Sequence, residues 1–289
     1  MSYQIFTDAT ADYPPACLSG LPTVKVIPMD VEIDDHAYTY GPGGTISVQD
    51  FYARQRAGSY ASTSQITPHS YFQQFEPVLR AGMDILYLCF SSGMSGTFQT
   101  SLLCVKELRE DYPERKIFCI DTLCASIGEG LLVWEAAQKQ KEGYSLEQLV
   151  QWITAHRLDV CHWFTVDVFN HLRHGGRVSS TTAMFGTALQ IKPLLHLDDS
   201  GKLTVLEKPR GRHQAIQSFV ARMEKSWVPV PSNRVIIGHG DCPDVAQLLE
   251  TAVQRNFPDA VIQIAPIGPI IGAHTGPGML AISHWGTGR

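Results

Sequence analysis

The chain has 289 residues, of which 44% are hydrophobic and 18% charged, with a formal net charge of -5 at pH 7. No basic face offers a nucleic-acid footprint, and the longest apolar stretches fall well short of a membrane span. The length exceeds what one compact core usually holds, so two domains are expected. Seven cysteines are an odd number and no two form a C-x-x-C, which fits reduced, buried thiols in a cytosolic protein. The opening residues "MSYQIFTDATADYP" have neither a basic nor an apolar leader segment, so secretion is not expected and a cytoplasmic location is.

In chain order, "YQIFTD" (3–8) predicts a first strand, and "LPTVKVIPMDVEI" (21–33) predicts extended structure with bends at Pro22 and Pro28. A short helix fits 47–58, with Ser47 as its cap and Gly58 as its stop. A second helix over 69–82 leads into the strand "MDILYLCF". Phe98, Leu102, Val105 and Leu108 recur at helical spacing, "KIFCID" is another strand, and a helix runs from Ile127 to its stop at Gly143. Strand–helix alternation of this kind calls for crossovers and a mostly parallel sheet.

The second half differs. "HWFTVD" predicts a strand, 168–176 a short helix, and 180–190 another. The apolar runs 191–199 and 202–211 flank Ser200-Gly201 and read as a hairpin. Helices over 212–227 and 244–257 alternate with strands over 233–241 and 260–268. Hairpin plus helices predicts a mixed sheet. The fold class is therefore α/β in two domains, 1–158 with a mostly parallel sheet and 159–289 with a mixed one.

Five segments carry possible chemistry. "SSGMSGT" (91–97) lies between a strand and a helix, where backbone N–H groups attract anions and Ser92 and Ser95 add hydroxyls. It matches neither the phosphate loop, which needs G-x-x-x-x-G-K-[ST], nor the nucleophile elbow G-x-S-x-G. On its own it fits a helix cap as well as an anion cradle. "ASTSQITPHS" puts Thr63, Ser64 and Gln65 in a loop before a helix. "GPIIGAHTGPG" sets His274 and Thr275 in a loop of four glycines and two prolines, where backbone can approach a ligand closely. "HGGRVSS" offers Arg177 to an anion, or to an ordinary surface ion pair. His171 and His174 form an H-x-x-H without further ligands, so no metal site is expected. "EKPRGRHQA" gathers Lys208, Arg210 and Arg212, a basic knot that suits either a solvated hairpin end or an acidic partner.

Together "FTDATADYP", "STSQ", "SSGMSGTFQTS", "IDTLCASIGEGLLV", the long block from His174 to Arg212 and "IGPIIGAHTGPG" resemble, in this order, the DegV family of bacterial fatty-acid-binding proteins. That family includes the carrier subunits of fatty acid kinase. The resemblance runs from about Ile5 to Gly278. It implies two α/β domains with one fatty acid buried between or within them, and a carboxyl group held near the surface. By resemblance the carboxyl contacts fall on Thr63, on Ser92 or Ser95, and on His274, with Ser64, Thr275 and Arg177 as weaker neighbours. Lys208, Arg210 and Arg212 resemble the surface that meets the kinase's catalytic subunit. Two departures stand out: Ile66 follows T-S-Q where proline is common, with Pro68 two later, and Ala273 precedes His274 where threonine or another small residue is common, a mild change.

The resemblance implies a carrier without chemistry of its own and without a cofactor other than its lipid. Physics agrees with this. A buried carboxyl group must be hydrogen-bonded or neutral, and hydroxyls with a histidine serve either state. At about 0.8 kcal/mol per buried methylene, a chain of about sixteen carbons offers on the order of 10 kcal/mol before ordering costs. Two rivals remain at this stage: a lipid hydrolase or acyltransferase using Ser95 or Ser92 with His274, and a mononucleotide-binding α/β protein.

Overall fold

The computed structural model describes residues 2–177 and 191–289. The helix expected over 180–190 therefore lies outside the described residues. Strand β1 (Tyr3–Asp8) forms the middle of a parallel sheet with β2 (Val24–Ile27), β6 (Asp84–Cys89) and β7 (Ile117–Asp121), in the order β2-β1-β6-β7. Helices α2 (Pro68–Arg80) and α3 (Thr97–Asp111) supply crossovers. The parallel sheet expected in the first half is present.

That half also holds a sheet that the strand–helix alternation did not suggest. The extended stretch breaks at Pro28, and its second part, β3 (Met29–Ile33), leaves the parallel sheet to pair antiparallel with β4 (His36–Tyr40) and β5 (Ala61–Thr63). β3 alternates buried and exposed residues, as a strand with one wet face must, whereas β6 is buried throughout. Helix α1 (Val48–Arg56) begins at Ser47, whose hydroxyl accepts from the Asp50 N–H at 3.0 Å.

Helix α4 (Ser126–Lys141) is buried on nearly all sides. Its Leu131, Leu132, Val133 and Trp134 share one apolar core with Ile5 and Leu88 of the parallel sheet and with residues of the second sheet. Two buried charges on α4 are paired, as burial demands: Glu135 meets Arg234 at 2.9 Å and Lys139 at 4.0 Å. Helix α5 (Leu146–His156), absent from the sequence reading, starts at a capping box between Ser145 and Gln148.

The second sheet has six strands in the order β10-β9-β8-β13-β11-β12. β8 (Val160–Thr165), β9 (Leu194–Leu197) and β10 (Leu203–Glu207) run antiparallel to their neighbours, and β9 and β10 form the expected hairpin around Gly201 at φ +70°. β11 (Arg234–His239) and β12 (Val261–Pro266) are parallel, joined through α8 (Pro243–Asn256). Between β8 and β11 lies β13 (Leu280–Trp285), antiparallel to both and buried throughout. The sheet is mixed, as expected, but its central strand β13 was not foreseen. Helix α6 (Asn170–His174) follows β8, and α7 (Gly211–Ser226) packs with α8. The "GPIIGAHTGPG" segment is not all loop, because Pro269–Thr275 forms a short helix, α9, that packs on β3, β5 and α1. Pro269 suits a first helical position and Gly276, at φ +73°, ends it. Among the described residues no helix is long and apolar enough to cross a membrane.

Candidate ligand-binding site

A cavity of about 270 Å³ opens where α3, α4, α6 and α9 converge on the strand ends. Its inner wall is apolar, with Phe90, Ile127, Phe164, Leu197, Ile270 and Met279 among the lining side chains. Its polar side gathers Thr63, Ser64 and Gln65 at the end of β5, Ser95 and Gly96 before α3, Arg177 after α6, and His274 and Thr275 from α9. Segments more than two hundred residues apart in sequence thus meet, and Thr63 Oγ1 lies 2.8 Å from His274 Nε2.

His274 is held neutral. Burial, then the Arg177 guanidinium and His174, lower its pKa from 6.5 to about 4. Gly175 packs against the ring so closely that a Cβ there would stand 2.2 Å from Nδ1. A neutral ring with its proton on Nε2 donates to Thr63, which leaves the threonine hydroxyl proton free for a ligand carboxylate. In the other tautomer Thr63 donates to the ring, and its lone pairs can accept from a protonated carboxyl. Either state of a carboxyl group is served.

Ser95 Oγ lies 2.9 Å from Thr97 Oγ1 and accepts from the Thr97 N–H at 3.2 Å, so it caps the first turn of α3 in place of Gly96. The positive end of a 15-residue helix is thereby turned toward the polar side of the cavity. Ser91 is buried and donates to the Gly201 carbonyl at 2.8 Å, pinning this loop to the β9–β10 turn. Ser92 is not among the residues lining the cavity, and its backbone N–H donates to Asp121 at 3.1 Å. Of the two serines the sequence left open, Ser95 is the one the fold brings to the cavity. Thr275 also lines it, while its hydroxyl donates back to the Ile271 carbonyl at 3.0 Å. Gln65, read from the sequence as a loop neighbour of Thr63 and Ser64 and not as a ligand contact, sits against Gly96, where a Cβ would fall 2.5 Å from its Oε1.

Among the described residues no nucleophile–base pair is assembled at the cavity: Ser95 is engaged with Thr97, His274 Nε2 with Thr63, and His274 Nδ1 meets no hydrogen-bond partner among them that could orient the ring as a catalytic acid would. The basic knot divides as well. Lys208 and Arg210 are exposed, but Arg212 is drawn inward to an ion pair with Asp167 and donates to the Gly278 carbonyl at 2.7 Å. Lys192 joins the same carboxylate at 2.6 Å.

Behind the cavity stands a second polar cluster built from "FTDATADYP" and α4. Asp8 accepts from the Thr10 N–H at 3.1 Å, Tyr87 OH at 2.7 Å, the Phe90 N–H at 3.2 Å and the Thr10 hydroxyl. Glu129 meets Thr10 Oγ1 at 2.8 Å and Thr7 Oγ1 at 3.0 Å. Thr10 has one proton and touches two carboxyl groups, so one of those groups must donate to it. Asp8, with four donors, is the ionised partner and Glu129 holds the proton. Burial first, then the Asp8 charge, push the Glu129 pKa well above the carboxylate range, and burial raises Asp8 despite its donors. Asp12 accepts from Ser126 Oγ at 2.7 Å and the Gly268 N–H at 2.8 Å, and burial raises its pKa to about 7. This knot fixes three pieces of the cavity wall: Phe90, the start of α4 and the start of α9.

A family model described as "Uncharacterised protein, DegV family" matches residues 2–285, and the chain belongs to the DegV family. It is 37% identical over 280 residues to a DegV domain-containing protein of Clostridium perfringens, covering 97% of this chain and 96% of that one. It is similar to a solved fatty-acid-binding DegV family protein from Thermus thermophilus, with a TM-score of 0.85 and 26% identity over 99% of this chain and all of the other. The Streptococcus pneumoniae fatty acid kinase B3 protein, solved with linoleic acid, shares the fold at a TM-score of 0.84 and 22% identity, over 99% of both chains.

Proposed function

We propose that this protein is a carrier for a long-chain fatty acid, without chemistry of its own, that works in the cytoplasm. The acyl chain lies in the apolar part of the cavity, between two units that divide near Leu158. Thr63, Ser95 and His274 hold its carboxyl group, with Ser64, Gln65, Thr275 and Arg177 around them. The observation that carries this reading is the Thr63–His274 pair beside the Ser95-capped α3 terminus, on the polar edge of an otherwise apolar cavity. Neutral donors on a helix end suit a monoanion that must also be released. Fatty acid binding by the Thermus thermophilus relative supports the same ligand class.

The carboxyl group would be presented to a separate kinase subunit for ATP-dependent acyl-phosphate formation, where positioning is most of the catalytic task. Exposed Ser64, Gln65, Gly96 and Arg177 put the cradle at the surface, and exposed Lys208 and Arg210 offer charge to an acidic partner. Arg212 serves this surface indirectly, by holding Asp167 and Gly278.

The carrier reading is tested by titrating delipidated protein with palmitate and with its methyl ester. Palmitate should bind and the ester should bind far more weakly; equal binding would show that no cradle grips the carboxyl group. The kinase reading is tested separately, by trapping acyl phosphate as hydroxamate in a mixture of loaded protein, ATP and a bacterial fatty acid kinase catalytic subunit. Hydroxamate is expected, and its absence with an active kinase would refute presentation while leaving the carrier intact.

A further inference from the structure

Six residues of the six-stranded sheet line the cavity, and five of them are large: His162, Trp163 and Phe164 of β8, Leu197 of β9 and Leu203 of β10. The sixth is Ala281 of β13. Ala281 pairs directly with Phe164, so both side chains leave the sheet on the same face. That face carries the core that Phe164 and Ala281 share with Ile127 and Met279. Leu280 and Ile282, on either side of Ala281, join the core of the opposite face. The Ala281 methyl group therefore points toward α4 and the cavity. Across the other edge of β13 its partner is Gly238, and the room left there is taken. A Cβ on Gly238 would stand 2.5 Å from Ile267 Cδ1 and 2.8 Å from Ile127 Cγ2. At Ala281 the room borders the cavity instead.

From the polar edge inward, the chain supplies His274 and Thr275 on α9, Met279 after the glycine turn, and then Ala281 inside β13. Two strand positions carry Ala281 about 7 Å beyond Met279. It meets an acyl chain away from the carboxyl end. We propose that Ala281 is a specificity residue that sets the length of acyl chain the carrier accepts. Its small side chain leaves room for the later carbons of a long chain, and a larger one in its place turns the protein toward shorter acids. This rests on the carrier reading above. Each methylene that finds apolar cover raises affinity about fourfold. A leucine at this position adds three carbons where such methylenes would lie, and a close-packed wall does not yield the space back freely.

The test is titration of delipidated wild type, Ala281→Val and Ala281→Leu with decanoate, myristate, palmitate and stearate. The loss in the variants should grow with chain length. In Ala281→Leu it should be slight for decanoate and roughly tenfold or more for palmitate and stearate. Ala281→Val should show the same trend more weakly, and it decides alone if the leucine variant does not fold. A loss equal at every chain length would mark Ala281 as structural and overturn the proposal. Unchanged affinity for all four acids overturns it too, and both results leave the carrier intact. Binding of none of the acids by the wild type removes the carrier reading, and this inference with it.

Discussion

Two polar clusters stand within one wall of each other and differ in a single respect. In the knot of Asp8, Asp12 and Glu129, every carboxyl group is met by hydroxyls or N–H groups of the chain itself. In the cradle of Thr63, Ser95 and His274, each group has one partner within the protein and hydrogen-bonding capacity left over. Burial alone would mark the knot as the active place, since it raises the pKa of all three carboxyl groups. Hydrogen-bond counting reverses that judgement. A satisfied network holds the fold, and an incompletely satisfied one at a cavity edge keeps hydrogen-bonding capacity open to a ligand, which is the basis of the carrier proposal.

The widest separation between the clusters should appear on removing Asp8. Asp8→Ala leaves Tyr87 OH, the Thr10 hydroxyl and two buried N–H groups without their acceptor and is expected to cost about 3–5 kcal/mol in urea denaturation. A loss below about 1 kcal/mol would break the comparison. Thr63→Val should do the opposite, lowering fatty acid affinity by about tenfold to a hundredfold while the lipid-free protein keeps its melting temperature within a few degrees. Comparable loss of stability would make Thr63 a structural residue.

A smaller effect follows pH. His274 has its pKa lowered from 6.5 to about 4 in the fold, so below 6.5 the unfolded chain takes up the proton first. The stability this neutral ring contributes is complete above pH 6.5 and is lost progressively as pH falls toward 4. Denaturation of the wild type and His274→Gln across that window should show the difference, with the wild type the more acid-sensitive. Glu129→Gln should have the least effect, within about 1 kcal/mol, because an amide replaces an acid that is already neutral. A large loss there would mean that Glu129 is charged and Asp8 holds the proton.

Much of this architecture was legible in the residues. Strand–helix alternation carried the parallel sheet, and the two-residue turn at Ser200-Gly201 carried the β9–β10 hairpin. The small antiparallel sheet escaped because Pro28 looks like a bend and in fact marks a change of sheet. β13 escaped because a strand buried on both faces shows no alternation, and its Ser283 and His284 break the apolar run. α9 escaped because its glycines and prolines read as loop punctuation, although Pro269 and Gly276 sit where a helix begins and ends. Resemblance named Thr63, Ser95 and His274, which the fold brings to one cavity, while the separation of Ser95 from Ser92 depended on which side of one turn faces that cavity. The acid knot was not legible, because nothing in "FTDATADYP" says that three of its polar side chains point inward toward α4.

The central claim is that one fatty acid occupies the cavity by its carboxyl group. Native mass spectrometry of the purified, untreated protein tests it most directly. A population heavier than the bare chain by the mass of one long-chain fatty acid is expected, strongly reduced in Thr63→Val. A protein that is bare, or that carries some other metabolite, would contradict it.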